Sequence, residues 1–177
     1  MRLHTLASVI ALTALAPAIS QAADGSITIN GRIVTNTCTI SSGAAGKHAV
    51  TLPTVSTSAL STPNAVAGLT PVTISLTGCT PANHKVALYF EPGADTDMAN
   101  GYLKNGTATG SNVEIQLLNA DKSAIALNLP KANQNSQEVD LSSGAANLTY
   151  FAQYIAPTTP ATAGDVTAST AFTVIYP

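Results

Sequence analysis

Histidine and cysteine are the residues of this chain best suited to holding a metal, and they are few. His48 and His84 are the only histidines after the first 22 residues, and the cysteines are Cys38 and Cys79. Zinc sites place cysteine and histidine ligands a few residues apart, and neither histidine stands at such a spacing from a cysteine. We therefore expect no metal site.

Known catalytic motifs are also missing from the sequence. It has no G-x-S-x-G segment, no H-E-x-x-H segment and no phosphate-binding loop. Asp95-Thr96-Asp97 begins like a calcium loop, but Ala99 stands where a ligand is needed and Asn100 where the glycine is needed. The sequence predicts no catalytic residue, no cofactor and no small-molecule substrate, so we expect a protein that is not an enzyme.

The composition excludes two further classes of protein. Hydrophobic residues make up 45% of the 177 residues, and charged residues only 9%, against about 25% in an average soluble domain. A disordered tail needs the opposite balance. The formal net charge of −2 also lacks the basic excess of a protein that binds nucleic acid. The length suits a single domain with a core of its own.

The first 22 residues have the pattern of a signal peptide. Arg2 precedes an apolar run from Leu6 to Ile19, and Ser20-Gln21-Ala22 supplies small residues for cleavage before Ala23. The alternative is a buried N-terminal helix.

Export would expose both cysteines to an oxidising compartment, where they can pair in only one way. A Cys38–Cys79 disulfide would close a loop of about 42 residues. In the chain-entropy model, closing such a loop adds roughly 4 kcal/mol to the stability of the protein.

Apolar and polar residues alternate along the chain, and this pattern predicts that the elements which would carry any site are β-strands. Turn-rich stretches separate these segments, and Ser56–Leu60 is the one candidate for a helical turn. The pattern predicts an all-β sandwich. The alternating segments are residues 27–33, 72–77, 86–90, 113–117, 125–129, 148–154 and 172–176.

The segment at Ala23–Ile33 precedes the first cysteine, and no turn joins it to a partner strand. Its alternation puts Ile27, Ile29 and Ile33 on one face, with Gly31 between them. It is either the first edge strand of an ordinary sandwich or an arm that pairs with another chain.

The C-terminal segment keeps its alternating pattern almost to the last residue. Phe172, Val174 and Tyr176 share one face. This segment is either a final core strand or a strand whose neighbour comes from another molecule. The second alternative requires a partner, because an uncovered apolar edge aggregates.

In this order, the motifs resemble those of chaperone–usher pilins of the type 1 fimbrial family. They are the Ala23–Ile33 arm followed by Cys38-Thr39-Ile40, then Val72–Cys79, and last the ending from Gly164 to Pro177. The family has a glycine fourteenth from the C-terminus and a penultimate tyrosine, and Gly164 and Tyr176 occupy those places. The terminal Pro177 departs from the family, which usually has a polar residue there.

The resemblance implies an incomplete immunoglobulin-like β-sandwich that lacks its final strand and is completed by donor-strand complementation. Residues 1–22 would be the signal peptide, residues 23–33 the donor-strand arm and residues 34–177 the pilin domain. The arm would fill the groove of the neighbouring subunit through Gly25, Ile27, Ile29, Gly31 and Ile33. The chaperone and groove edge would comprise Gly164, Phe172, Val174 and Tyr176.

The resemblance also implies the function and partners of the chain. It would be a structural subunit of an adhesive fimbria, exported through the periplasm to the bacterial surface and polymerised head-to-tail. Its partners would be a periplasmic chaperone, an outer-membrane usher and other pilin subunits. The alternative is a minor tip or adaptor subunit, or a receptor-binding adhesin, of the same system. Two-domain adhesins of the family place a lectin domain before the pilin domain, and the mature chain that would remain after residue 22 leaves no room for one.

Overall fold

Alternating residues form strands along much of the chain in the computed structural model, which describes residues 33, 35, 37–43 and 47–177. The strands lie within one unit, Val34–Pro177. Two short 3₁₀ helices accompany them, at Thr57–Leu60 and Lys131–Asn133. The strands are β1 (Thr37–Ile40), β2 (Val66–Thr80), β3 (Lys85–Glu91), β4 (Glu114–Leu118), β5 (Val139–Asp140), β6 (Ala146–Ile155) and β7 (Ala171–Ile175).

These strands form two antiparallel sheets. The first has the order β1-β2-β6-β4, and the second has the order β5-β3-β7. The longest pairing joins β2 to β6, from Val66 opposite Ile155 to Leu76 opposite Ala146, with a register shift between Ala67 and Thr70. The predicted all-β sandwich is confirmed.

The core lies between the inner faces of the two sheets. In β2 the alternation buries Ile74 and Leu76 and leaves Thr73 exposed. In β3 three consecutive residues, Val86–Leu88, are almost fully buried, as is usual for a strand covered on both faces.

The Cys38–Cys79 disulfide predicted from the sequence is present. It joins β1 to the end of β2, next to the pair Thr37–Thr80. Cys79 is buried in the main core cluster, and Cys38 packs against that cluster.

The helical turn predicted at Ser56–Leu60 is also present. Ser56 caps the 3₁₀ helix Thr57–Leu60 by accepting a hydrogen bond from the Ser58 N–H. Leu60 is buried in a second apolar cluster with Val113 and Ala156.

The strand predicted at residues 125–129 is wrong. Ile125 and Leu127 are buried as the alternation requires, but their backbone partners belong to different segments. The Ile125 N–H donates to the Leu117 carbonyl, and the Leu127 N–H donates to the Gly101 carbonyl. A ladder needs one continuous partner strand, so the segment is irregular.

Candidate functional site: an open groove

An apolar groove lies between the four-stranded sheet and β7. Its volume is about 790 Å³. Two segments without regular strand structure complete its walls: residues 47–52, called here the N-terminal wall, and residues 166–170, called the C-terminal wall. The strands contribute Ile40, Val72, Ile74, Phe90, Ile115, Leu117, Tyr150, Ala152, Tyr154 and Phe172.

Strand β7 is the edge strand of its sheet, because β3 is its only partner in the described part of the chain. Phe90 of β3 lies opposite Phe172. Both backbone groups of Phe90 bond to the Gln134 side chain, at 2.9 Å and 2.7 Å, and therefore point away from β7. Phe90 and Phe172 thus form a non-hydrogen-bonded pair, in which the backbone groups of both residues point outwards.

The same alternation determines the direction in which the backbone groups of Val174 point. Its partner is Leu88, whose N–H lies 3.4 Å from the Tyr150 hydroxyl, away from β7. The N–H and C=O groups of Phe172 and Val174 therefore face the free edge of the sheet. Burial raises the pKa of Tyr150, while its hydrogen bonds to Ser136 and Leu88 act in the opposite direction.

Side chains from the 95–111 loop hold the C-terminal wall in place. Asn105 accepts a hydrogen bond from the Thr167 N–H at 2.9 Å and donates one to the Asp165 carbonyl at 2.8 Å. Asp95 accepts bonds from both the N–H and the hydroxyl of Ser169. These side chains, together with the Gly106 N–H that donates to the Thr167 carbonyl, therefore fix the wall in the absence of a strand partner among the described residues.

The structure brings part of the predicted groove edge together. Phe172 lines the groove, and Val174 and Tyr176 are half-buried against the same core cluster. Gly164 lies outside the groove, where a Cβ would stand 2.6 Å from the Ser111 backbone nitrogen. Its lack of a side chain permits that close approach.

Of the predicted arm, only Ile33 is described, and its side chain is exposed. The other predicted donor residues lie outside the described residues: Gly25, Ile27, Ile29 and Gly31.

Sequence reasoning missed the N-terminal wall and Gln134. The wall has no strand-like alternation, and no local signal connects Gln134 to β3, which lies 44 residues away. The sequence marks His48 only as a candidate metal ligand. Its position in the groove depends on the tertiary structure.

The described residues include no group of three or more histidine, cysteine or acidic side chains arranged to hold a metal ion. Asp95 and Asp97, at the start of the calcium-like segment, instead bond to nearby loop atoms: Asp95 to Ser169, and Asp97 to Ala99 and Asn100. Within the same described part, no helix is long and apolar enough to cross a membrane.

Comparison with known proteins assigns this chain to a family. The family described as FimA, type-1 fimbrial protein, A, matches residues 52–177. The chain belongs to the type-1 fimbrial protein family. It is a fimbrial subunit, exported through the periplasm to the cell surface, where it joins other pilin subunits in a polymer.

Members of the type-1 fimbrial family resemble this pilin over most of its length. The major fimbrial subunit SMF-1 of Stenotrophomonas maltophilia is 44% identical over 171 residues, which cover 93% of this chain and 99% of the relative. The minor fimbrial subunit HifD of Haemophilus influenzae is 37% identical over 99% of this chain and 83% of the relative.

Solved structures agree on the fold. A subunit from a chaperone–usher pilus structure that addresses rod uncoiling superposes with a TM-score of 0.59 and 22% identity, covering 92% of this chain and all of that one. The P pilus rod subunit PapA gives a TM-score of 0.58 with 18% identity, over 79% of this chain and 99% of that one. The described sandwich is thus the immunoglobulin-like fold of pilin subunits.

Proposed function

We propose that this pilin is a structural subunit of the fimbrial shaft that polymerises head-to-tail by donor-strand exchange. Residues 1–22 act as its signal peptide, residues 23–33 as its donor arm and residues 34–177 as its pilin domain. The observation that carries the proposal is the free edge of β7 beside the apolar groove. An inserted strand would find the backbone groups of Phe172 and Val174 available for a ladder, and apolar pockets for alternate side chains.

The arm has the complementary pattern. Gly25, Ile27, Ile29, Gly31 and Ile33 fall on one face of an extended strand, and polar residues occupy the other face. Burying an isoleucine is worth roughly 1.5–3 kcal/mol, so three give about 5–9 kcal/mol before the cost of ordering the arm. Ladder hydrogen bonds add about 0.5–1.5 kcal/mol each.

A groove between two sheets must be covered before assembly, because exposed apolar edges aggregate. A periplasmic chaperone strand fills the groove first, and the arm of the next subunit replaces it at the outer-membrane usher. The joint is head-to-tail, so it does not close on itself and a filament grows. Filling the groove also completes the core, so binding adds to the stability of the subunit.

Deletion of Ser26–Arg32 tests the role of the arm. The variant keeps its groove, so we expect it to form the chaperone complex normally and to give no filaments by electron microscopy. The matched control replaces Thr28 and Asn30 with alanine on the polar face, and it should assemble. Normal filaments from the deletion variant would contradict the proposal.

A role as a minor tip or adaptor subunit is the second candidate, and the similarity to the minor subunit HifD favours it. The similarity to the major subunit SMF-1 is higher and covers more of the relative, which favours the shaft. Removing the gene distinguishes the two. Loss of all filaments supports the shaft role, whereas filaments of normal diameter with altered tips or number support the minor role.

A further inference from the structure

His48 lies on the N-terminal wall of the groove and faces β7. Its ring centroid is 5.9 Å from that of Phe172, and the two ring planes are tilted by 53°. On another side, a Cβ on Gly43 would come within 3.0 Å of the His48 Cε1 atom. The imidazole is therefore held between Phe172 and the backbone at Gly43.

The Nε2 atom of His48 is buried, and no hydrogen-bond partner for it exists in the described part of the chain. Buried polar atoms normally have a partner, because leaving one unpaired costs free energy. An unpaired ring nitrogen at a groove wall is therefore explained if the missing partner belongs to the molecule that fills the groove.

Three polar residues of the C-terminal wall, Thr167, Ser169 and Thr170, already have hydrogen-bond partners within the subunit. The N–H and hydroxyl of Ser169 bond to Asp95, and the Thr170 hydroxyl lies 3.3 Å from the Glu91 carbonyl. The backbone N–H and C=O of Thr167 are taken by Asn105 and Gly106. His48 Nε2 differs from these groups because it is buried and lacks a partner in the described part of the chain.

A strand in the groove has two edges. If one edge pairs with β7, the backbone groups of the other edge point toward the N-terminal wall, since successive residues of a strand direct them to alternate sides. We propose that the Nε2–H of His48 donates a hydrogen bond to a main-chain carbonyl of the donor arm, residues 23–33 of a second copy. This assignment rests on the proposed function and adds a polar recognition residue to an apolar groove.

The test measures how long the arm stays bound. The full chain is purified as its chaperone complex and mixed with a synthetic peptide of residues 23–33, and peptide exchange and dissociation are followed by native mass spectrometry. His48→Leu should shorten the lifetime of the bound peptide by about two- to tenfold, the range expected for one hydrogen bond. His48→Gln keeps an N–H donor and should recover part of the loss. His84→Leu, at an exposed histidine away from the groove, should have no effect.

A peptide series tests the bond itself. Replacing one backbone amide by an ester weakens the carbonyl at that position as an acceptor. At one position the loss should be smaller in His48→Leu than in the wild type, because the partner is already gone. Equal losses at every position would overturn the assignment.

Nitrogen-15 NMR of wild-type His48 gives a readout that needs no variant to fold. The Nε2 resonance should shift when the peptide binds, whereas the His84 resonances should stay in place. An unmoved Nε2 resonance, or an unchanged lifetime in a folded His48→Leu complex, overturns the role of His48 while leaving donor-strand exchange intact. A wild-type complex that takes up no peptide overturns both.

Discussion

At the scale of single residues, the Gln134 side chain makes the hydrogen bonds that a neighbouring strand would otherwise make to β3. The edge of β3 that faces away from β7 pairs with β5 only at Lys85 and Val86. Further along, the fully buried Gln134 amide accepts from the Phe90 N–H and donates to the Phe90 carbonyl. One side chain thus satisfies both backbone groups, as a neighbouring strand would.

Gln134→Leu leaves two buried backbone groups unpaired. Each unsatisfied group costs about 1–3 kcal/mol, so we expect a loss of roughly 2–6 kcal/mol in the free energy of unfolding, measured by urea denaturation. Gln153→Leu is the matched control. Gln153 is half-buried and bonds to Gln116 at 2.8 Å, and water can replace that partner. Similar losses in the two variants would refute the special role of Gln134.

Glu114 makes stability depend on pH. Burial raises the pKa of its carboxyl above the ordinary value of 4.5, and the negative charge of Asp97 raises it further. The folded state therefore binds this proton more tightly than the unfolded state does. Ionised Glu114 therefore lowers the free energy of unfolding. This destabilisation is absent below about pH 4.5 and reaches its full size above the raised pKa.

Glu114→Gln removes that destabilisation, so the variant should be more stable than the wild type at pH 7, with a difference that shrinks as the pH falls toward 4.5. Asp121→Asn is the control of opposite sign, because hydrogen bonds from Ser123 lower the pKa of Asp121. It should lose stability at pH 7. Unfolding free energies measured from pH 4 to pH 8 check both, and a pH-independent Glu114→Gln difference would contradict the assignment.

At the scale of elements, alternate residues of β7 direct their backbone groups to opposite sides of the strand. The backbone of Thr173 faces Tyr89 of β3, whereas that of Val174 faces the groove edge. A proline removes the N–H of one residue only, so neighbouring positions can distinguish folding from recognition.

Val174→Pro should leave the β3–β7 ladder in place and lose one bond to an inserted strand. We expect the chaperone complex to form but to release a bound arm peptide about two- to tenfold faster. Thr173→Pro breaks the ladder to β3 and should prevent recovery of a folded complex. Circular dichroism and complex yield measure folding, and peptide lifetime measures recognition. The reverse pattern would show that the edges are assigned the wrong way round.

At the scale of the whole molecule, the disulfide closes the chain across its first two strands. The cysteines are 41 residues apart in sequence, and the entropy of closing such a loop corresponds to about 4 kcal/mol. Cys38→Ser combined with Cys79→Ser should lower the free energy of unfolding by about that amount, measured on the purified complex in urea. Adding a reductant to the wild type should reproduce the loss, and no difference between the oxidised and reduced proteins would contradict it.

Several features of this pilin follow from the sequence alone. Alternation at residues 72–77, 86–90, 148–154 and 172–176 falls within β2, β3, β6 and β7, apart from Tyr176 just beyond β7. Period-two patterning works for these segments because each buries one or both faces in a sheet. The disulfide also follows, because a chain with two cysteines offers only one pairing. The resemblance of the motifs to the type 1 fimbrial family predicts Phe172, Val174 and Tyr176 as groove-edge residues; Phe172 lines the groove, and the other two pack against the core.

The construction of the groove depends on contacts that the tertiary structure makes. Several of its contacts join segments that are far apart in sequence. They are the packing of the N-terminal wall beside the groove, the hydrogen bonds of Asn105 and Asp95 to the C-terminal wall, and the bonds of Gln134 to β3. Residues 125–129 show the same limit, since their alternation is genuine but their backbone partners belong to separate loops. Side-chain burial is a local property that a pattern can record. The partner of an irregular backbone is set by which distant segment the fold places beside it.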